Sequence, residues 1–182
     1  MKLIYLLIFF LTINSFSQDY RLIHKAEKIL NSEKSNFEKV EKLLKRAKVA
    51  DYGFCGNAYI TAISEIDFLN AKMYYLKSEF AECIKKIDSV ETWERQKSSD
   101  SLKVLCLTKL YGKSKIKELI LINSNKTIVR KDNFRYENIC IELKEINYNF
   151  CFKDQNEEFN YKKELTLLEI IKETNFYKIL IE

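Results

Sequence analysis

The chain has 182 residues, with no proline, three glycines and one histidine. Average usage is about 5% Pro and 7% Gly, so the composition argues against a fold of many tight turns and short strands and predicts an all-α protein. A formal net charge of +5 is a small excess, spread along the chain and not gathered in runs as nucleic-acid binders gather it.

The first stretch, "MKLIYLLIFFLTINSFSQDY", has the order of a secretory signal. Lys2 supplies a positive start, and Leu3 to Ile13 form a nearly unbroken apolar run. That run is shorter than the roughly 20 apolar residues a membrane-spanning helix needs. Asn14 interrupts it, and Ser15 and Ser17 place small side chains before a cut at Gln18. The expectation is a cleaved signal peptide over residues 1–17 and an exported chain, periplasmic or extracellular, with no stable membrane span after cleavage. The alternatives are an uncleaved anchor and a buried N-terminal helix. The junction resembles bacterial export signals, and it offers no cysteine for lipid attachment.

Residues 18–182 are then read as one helical domain. A helix over 20–30 leads through "NSEKSN" to a second, where Phe37, Val40, Leu44 and Ala47 step by 3, 4 and 3 residues and share one face. Glu38–Lys42 and Glu41–Lys45 stand at i,i+4 on the other face, in the favourable order. Gly53 and Gly56 mark a turn before a long helix over 57–76. A polar turn follows, and then Phe80, Cys83, Ile87 and Val90 repeat the 3, 4, 3 spacing. Trp93 lies just beyond and reads as packing at a helix junction, with an exposed binding anchor as the alternative. A third pair is expected over 99–111 and 114–122, with Gly112 as the helix end.

The connector "NSNKTIVRKDN" is too polar to be core, and its "KTIVR" is the one strand candidate in the chain, a short one. A last helix pair is expected within 134–180. Its first helix, 136–150, aligns Ile139, Leu143, Ile146 and Phe150, and its second, about 157–174, aligns Tyr161, Leu165, Leu168 and Ile171.

The pair "NAKMYYLKSEFAECIKKIDSV" resembles a tetratricopeptide repeat, a 34-residue helix–turn–helix unit. Ala71 and Tyr74 match its first helix, Phe80 its turn, and Cys83, Ile87 and Val90 its second helix. Ala26, Ile29, Phe37, Val40, Leu44 and Ala47 match an earlier unit less closely. The third pair keeps only Ile116 and Ile120. The two turn aromatics are 43 residues apart where the family has 34. The likeness therefore covers residues 20–122 and is degenerate. It implies a short superhelix of stacked helix pairs, completed by the C-terminal pair. The alternative is an irregular helical domain with one look-alike hairpin.

No catalytic constellation is present. One histidine and five cysteines without a CxxC argue against a zinc centre, a Cys–His nucleophile and most triads. No glycine spacing fits a phosphate loop, so no cofactor is expected. Cys83, Cys106 and Cys140 lie in apolar stripes and read as small buried hydrophobes. A disulfide between some pair of the five cysteines remains open, and spacing does not choose which. The resemblance implies a groove lined by Glu65, Phe68, Lys72, Tyr75 and Leu76, with Phe68 and Tyr75 as aromatic anchors for a protein or peptide partner; the alternative is that Phe68 and Tyr75 are core of a long helix. The family's clamp for C-terminal carboxylates is not matched, because Phe68 and Lys72 stand where Lys and Asn are needed. The expected function is a non-catalytic protein-binding or scaffold module of a bacterial envelope. Its rivals are an accessory helical domain without a groove and, third, an enzyme.

Overall fold

Without proline, each helix runs until a turn residue stops it. In a computed structural model the chain is mostly helical, as the composition predicts, with helices packed on helices. The structure describes residues 20–53, 56–90, 96–123, 127–128, 139–152 and 165–182. The signal segment and its cut before Gln18, Cys55, Trp93, Tyr161 and most of the polar connector lie outside the described residues. The described residues fall into two compact units, which divide between Gln96 and Lys97.

In the first unit, α1 spans residues 20–30, α2 Phe37–Lys48, α3 Gly56–Leu76 and α4 Phe80–Ile87. The amide of Lys39 donates to the Asn36 side chain at 2.9 Å, which starts α2 by satisfying an amide the helix cannot. Val40, Leu43, Leu44 and Ala47 are buried, while Glu38–Lys42 and Glu41–Lys45 form the expected surface pairs at 2.6 and 2.8 Å. Among the described helices, α3 and α4 pack against each other most extensively. Ala71, Cys83 and Ile84 are all fully buried. The tight turn between these helices is closed by Ser78 at φ 63 and by the Glu79 amide donating to the Tyr74 carbonyl at 2.9 Å.

The second unit holds α5 Gln96–Tyr111, α6 Lys113–Asn123, β1 Thr127–Ile128, β2 Ile139–Leu143, β3 Tyr148–Phe152, β4 Leu165–Thr166, α7 Leu167–Glu173 and α8 Asn175–Ile181. Gly112 at φ +77 is the one residue between α5 and α6, a backbone state that suits glycine at a helix end. The two short strands β1 and β4 pair antiparallel, so the single strand candidate "KTIVR" does carry one. Ile116 and Ile120 of α6, Ile141, Leu143 and Phe150 of the hairpin, and Ile171, Phe176 and Leu180 of α7 and α8 are buried.

The predicted helix over 136–150 is corrected: β2 and β3 form an antiparallel hairpin, with Ile139 opposite Phe152, Ile141 opposite Phe150 and Leu143 opposite Tyr148. A one-turn 3-10 segment, Lys144–Ile146, and Asn147 at φ 47 turn the chain. The physical reason is period. Ile139, Ile141 and Leu143 alternate with Cys140 and Glu142, as do Tyr148, Phe150 and Phe152 with Asn149 and Cys151. β-branched and aromatic residues favour that pleated surface. Of the second predicted helix, about 157–174, only Leu167–Glu173 is helical as α7; Leu165–Thr166 is strand β4, the residues before it lie outside the described residues, and α8 follows beyond the predicted end. Thr174 separates α7 from α8 and caps α8, accepting from the Tyr177 amide at 3.2 Å.

Candidate functional site

The implied groove rests on how α1 and α3 lie. The Tyr20 hydroxyl, at the start of α1, donates to the Ala58 carbonyl near the start of α3 at 3.0 Å. The Lys72 ammonium, near the end of α3, donates to the side chain of Asn31, just past the end of α1, at 2.7 Å. Start meets start and end meets end, so the two helices run side by side in the same direction. α2 runs back between their ends. The Tyr52 ring that follows α2 packs edge-on against Tyr20 at 5.3 Å and Tyr59 at 6.4 Å, and its buried hydroxyl donates to the Ala47 carbonyl at 2.8 Å. This tyrosine cluster ties the starts of α1 and α3 to the end of α2.

The five implied groove residues are not all exposed. Phe68 is 7% exposed and belongs to the core, so it cannot act as an exposed anchor. Tyr75 is half-buried and stacks tilted against Phe80 across the α3–α4 turn, ring centres 5.7 Å apart. Glu65 and Lys72 are half-exposed, and Lys72 reaches α1 through Asn31. Leu76 is 43% exposed at the end of α3. The face that α1 and α3 share is therefore polar, carrying Lys72 with its Asn31 link. The two aromatic rings serve packing. A 21-residue helix in an apolar environment buries more than one stripe, and Phe68, which the family resemblance placed on the ligand face, is among its buried residues.

Two buried charged features escaped sequence reasoning. In the first unit Asp67, 6% exposed, takes the Lys86 ammonium at 2.6 Å. The Ser89 hydroxyl lies 2.8 Å from the Asp67 carboxylate and 2.7 Å from the Lys86 carbonyl, sharing its proton between them. These groups pin α4 and the turn after it to the middle of α3. A partly buried pair of this kind fixes register more surely than it adds stability. In the second unit, burial pushes the Asp100 carboxyl up to about 6 from 3.8, with Lys103 pulling the other way. Lys103 is itself buried, its ammonium 5.4 Å from the centre of the Phe150 ring. Burial and the Glu145 carboxylate both raise the Tyr111 phenol. The sequence signal was Asp67 between Ile66 and Phe68 and Lys103 between Leu102 and Val104; Asp100, flanked by serines, gave none.

Among the described residues no group of three or more His, Cys, Asp or Glu side chains is arranged to hold a metal ion, and no helix is long and apolar enough to cross a membrane. No family model matches the chain, and neither a curated protein nor a solved structure is significantly similar to it.

Proposed function

We propose that the protein is an exported, non-catalytic binding module that uses the shared face of α1 and α3 to hold an extended segment or a helix of a protein partner. The supporting observation is the parallel seam marked by Tyr20–Ala58 and Asn31–Lys72. In tetratricopeptide-like stacks, first helices of successive units lie side by side and line the ligand face, and α1 and α3 hold that relation. The expected anchors shift with the burial of Phe68. Lys72, Glu65 and Leu76, with Asn31 from the end of α1, replace an aromatic patch by a polar one with an apolar end. Such a surface favours a polar, charged segment over a strongly apolar one.

A second reading, an accessory domain without a groove, draws support from the same burial. Aromatic rings used for packing leave fewer anchors for a partner. Photocrosslinking side chains at positions 72 and 76, with position 42 on the charged face of α2 as control, separate the two. A discrete adduct from 72 and 76 alone, in intact envelopes, fits the binding module. Adducts only from position 42, or equal yields from all three, sink it.

A further inference from the structure

We propose that Cys140 and Cys151 form a cross-strand disulfide that staples the β2–β3 hairpin. The ladder pairs them directly: Cys140 is the register partner of Cys151, one step beyond the Ile141–Phe150 pair. Opposed residues of an antiparallel ladder have Cα atoms about 4.5 Å apart at one class of position and about 5.5 Å at the other. Disulfides span Cα separations of about 4.4–6.8 Å, a range that covers both classes.

The pleat fixes the face as well. Ile141, Leu143 and Phe150 are buried, so their side of the hairpin is the core side. Cys140 and Cys151 stand at the opposite parity, shared by Glu142 and Asn149, and both of those are exposed. Cys83 and Cys106 are each fully buried in the core of their own unit. A two-stranded hairpin is marginal by itself, and a covalent link between its strands removes open conformations from the unfolded chain.

The chemistry is a two-electron exchange. Two thiols lose two protons and two electrons and gain one S–S bond, while a disulfide oxidant is reduced to two thiols. In solution glutathione disulfide serves. In the cell a protein disulfide carrier of an oxidising compartment would serve, and only that source rests on the export reading.

The test uses the purified full chain, equilibrated with glutathione disulfide. Remaining thiols are alkylated in denaturant before tryptic digestion. Cleavage after Lys144 places the two cysteines on separate peptides, 136–144 and 145–153. The expected product is these two peptides joined, two hydrogens lighter than their sum and resolved into both on reduction. Alkyl groups or glutathione on both cysteines would overturn the proposal, as would a link from either to Cys55, Cys83 or Cys106. A second measurement compares melting. Reductant should lower the melting temperature of the oxidised wild-type chain by several degrees and leave the Cys140→Ser/Cys151→Ser chain unmoved. An equal response in both chains would also overturn it.

Discussion

Residues 37–47 and residues 139–150 carry nearly the same apolar spacing and fold differently. Phe37, Val40, Leu44 and Ala47 step by 3 and 4 and form the inner face of α2. Ile139, Leu143, Ile146 and Phe150 step by 4, 3 and 4 and belong to a hairpin. What differs is the filling. Between the apolar positions of α2 stand the charged Glu38, Lys39, Glu41, Lys42, Lys45 and Arg46, and the one apolar residue among them, buried Leu43, lies three after Val40 and four before Ala47, so it joins the same helical stripe and fits no alternation. In 139–150 the intervening Ile141 is itself 1% exposed, and Tyr148 is opposite Leu143. A step of four is two steps of two, so Ile139 and Leu143 satisfy both periods at once. The residues between decide.

The largest effect that could break this comparison is truncation of the hairpin's central ring. Phe150 is 1% exposed, lies opposite Ile141 and packs at 5.3 Å on the Phe176 ring of α8. Phe150→Ala should cost about 3–5 kcal/mol in urea unfolding, against about 2–5 kcal/mol for Leu44→Ala in α2. A loss below about 1 kcal/mol for Phe150→Ala would mean that the hairpin is not anchored to the helices of its unit.

The comparison also shows what the sequence made legible. The first three helix pairs were readable because charged residues frame their stripes and because Gly112 and the polar turns mark their ends. The rotation of α3 was not fully readable. Alanine, isoleucine and phenylalanine occur on most of its sides, and Ser64 and Asp67 are buried beside Phe68. The family resemblance put Phe68 in the groove. Its burial depends on what packs around α3, which no local pattern contains. The Asp67–Lys86 pair was hidden for the same reason, since its partners are brought together only by the α3–α4 turn.

A charge test sharpens the contrast between the two units. The acids Glu38 and Glu41 sit on the outer face of α2, and their lysine partners hold both carboxyls below the usual range. Asp100 on α5 moves the other way, up to about 6, because burial disfavours its charged form. A carboxyl whose folded value is raised binds its proton more tightly in the folded chain. The stability it contributes is complete below about 3.8 and is lost as pH rises through about 6. Asp100→Asn should therefore match the wild type near pH 4 and exceed it at pH 7. The full shift would correspond to about 3 kcal/mol. Partial exposure screens it, and about 1–2 kcal/mol is expected. A stability difference that stays constant from pH 4 to 7 would show that Asp100 does not titrate in this way.

The smallest effect is the most diagnostic, because its sign depends on which reading of 139–150 is right. Asn147 follows the 3-10 turn at φ 47 and ψ 52, the left-handed region, and is exposed. Asparagine tolerates that region better than other residues with a Cβ, and glycine tolerates it best. Alanine gains nothing there and meets the Cβ clash, so Asn147→Ala should lose about 1 kcal/mol. Asn147→Gly should be neutral within a few tenths of a kcal/mol, since only the entropy of the unfolded chain opposes it. Were the segment helical, the sign for alanine would reverse. Alanine would add roughly 0.5 kcal/mol at an exposed helical position, and glycine would cost a few tenths relative to asparagine. Urea midpoints of the two variants beside the wild type decide between these outcomes. A stabilising Asn147→Ala would sink the hairpin, and with it the register that sets Cys140 opposite Cys151.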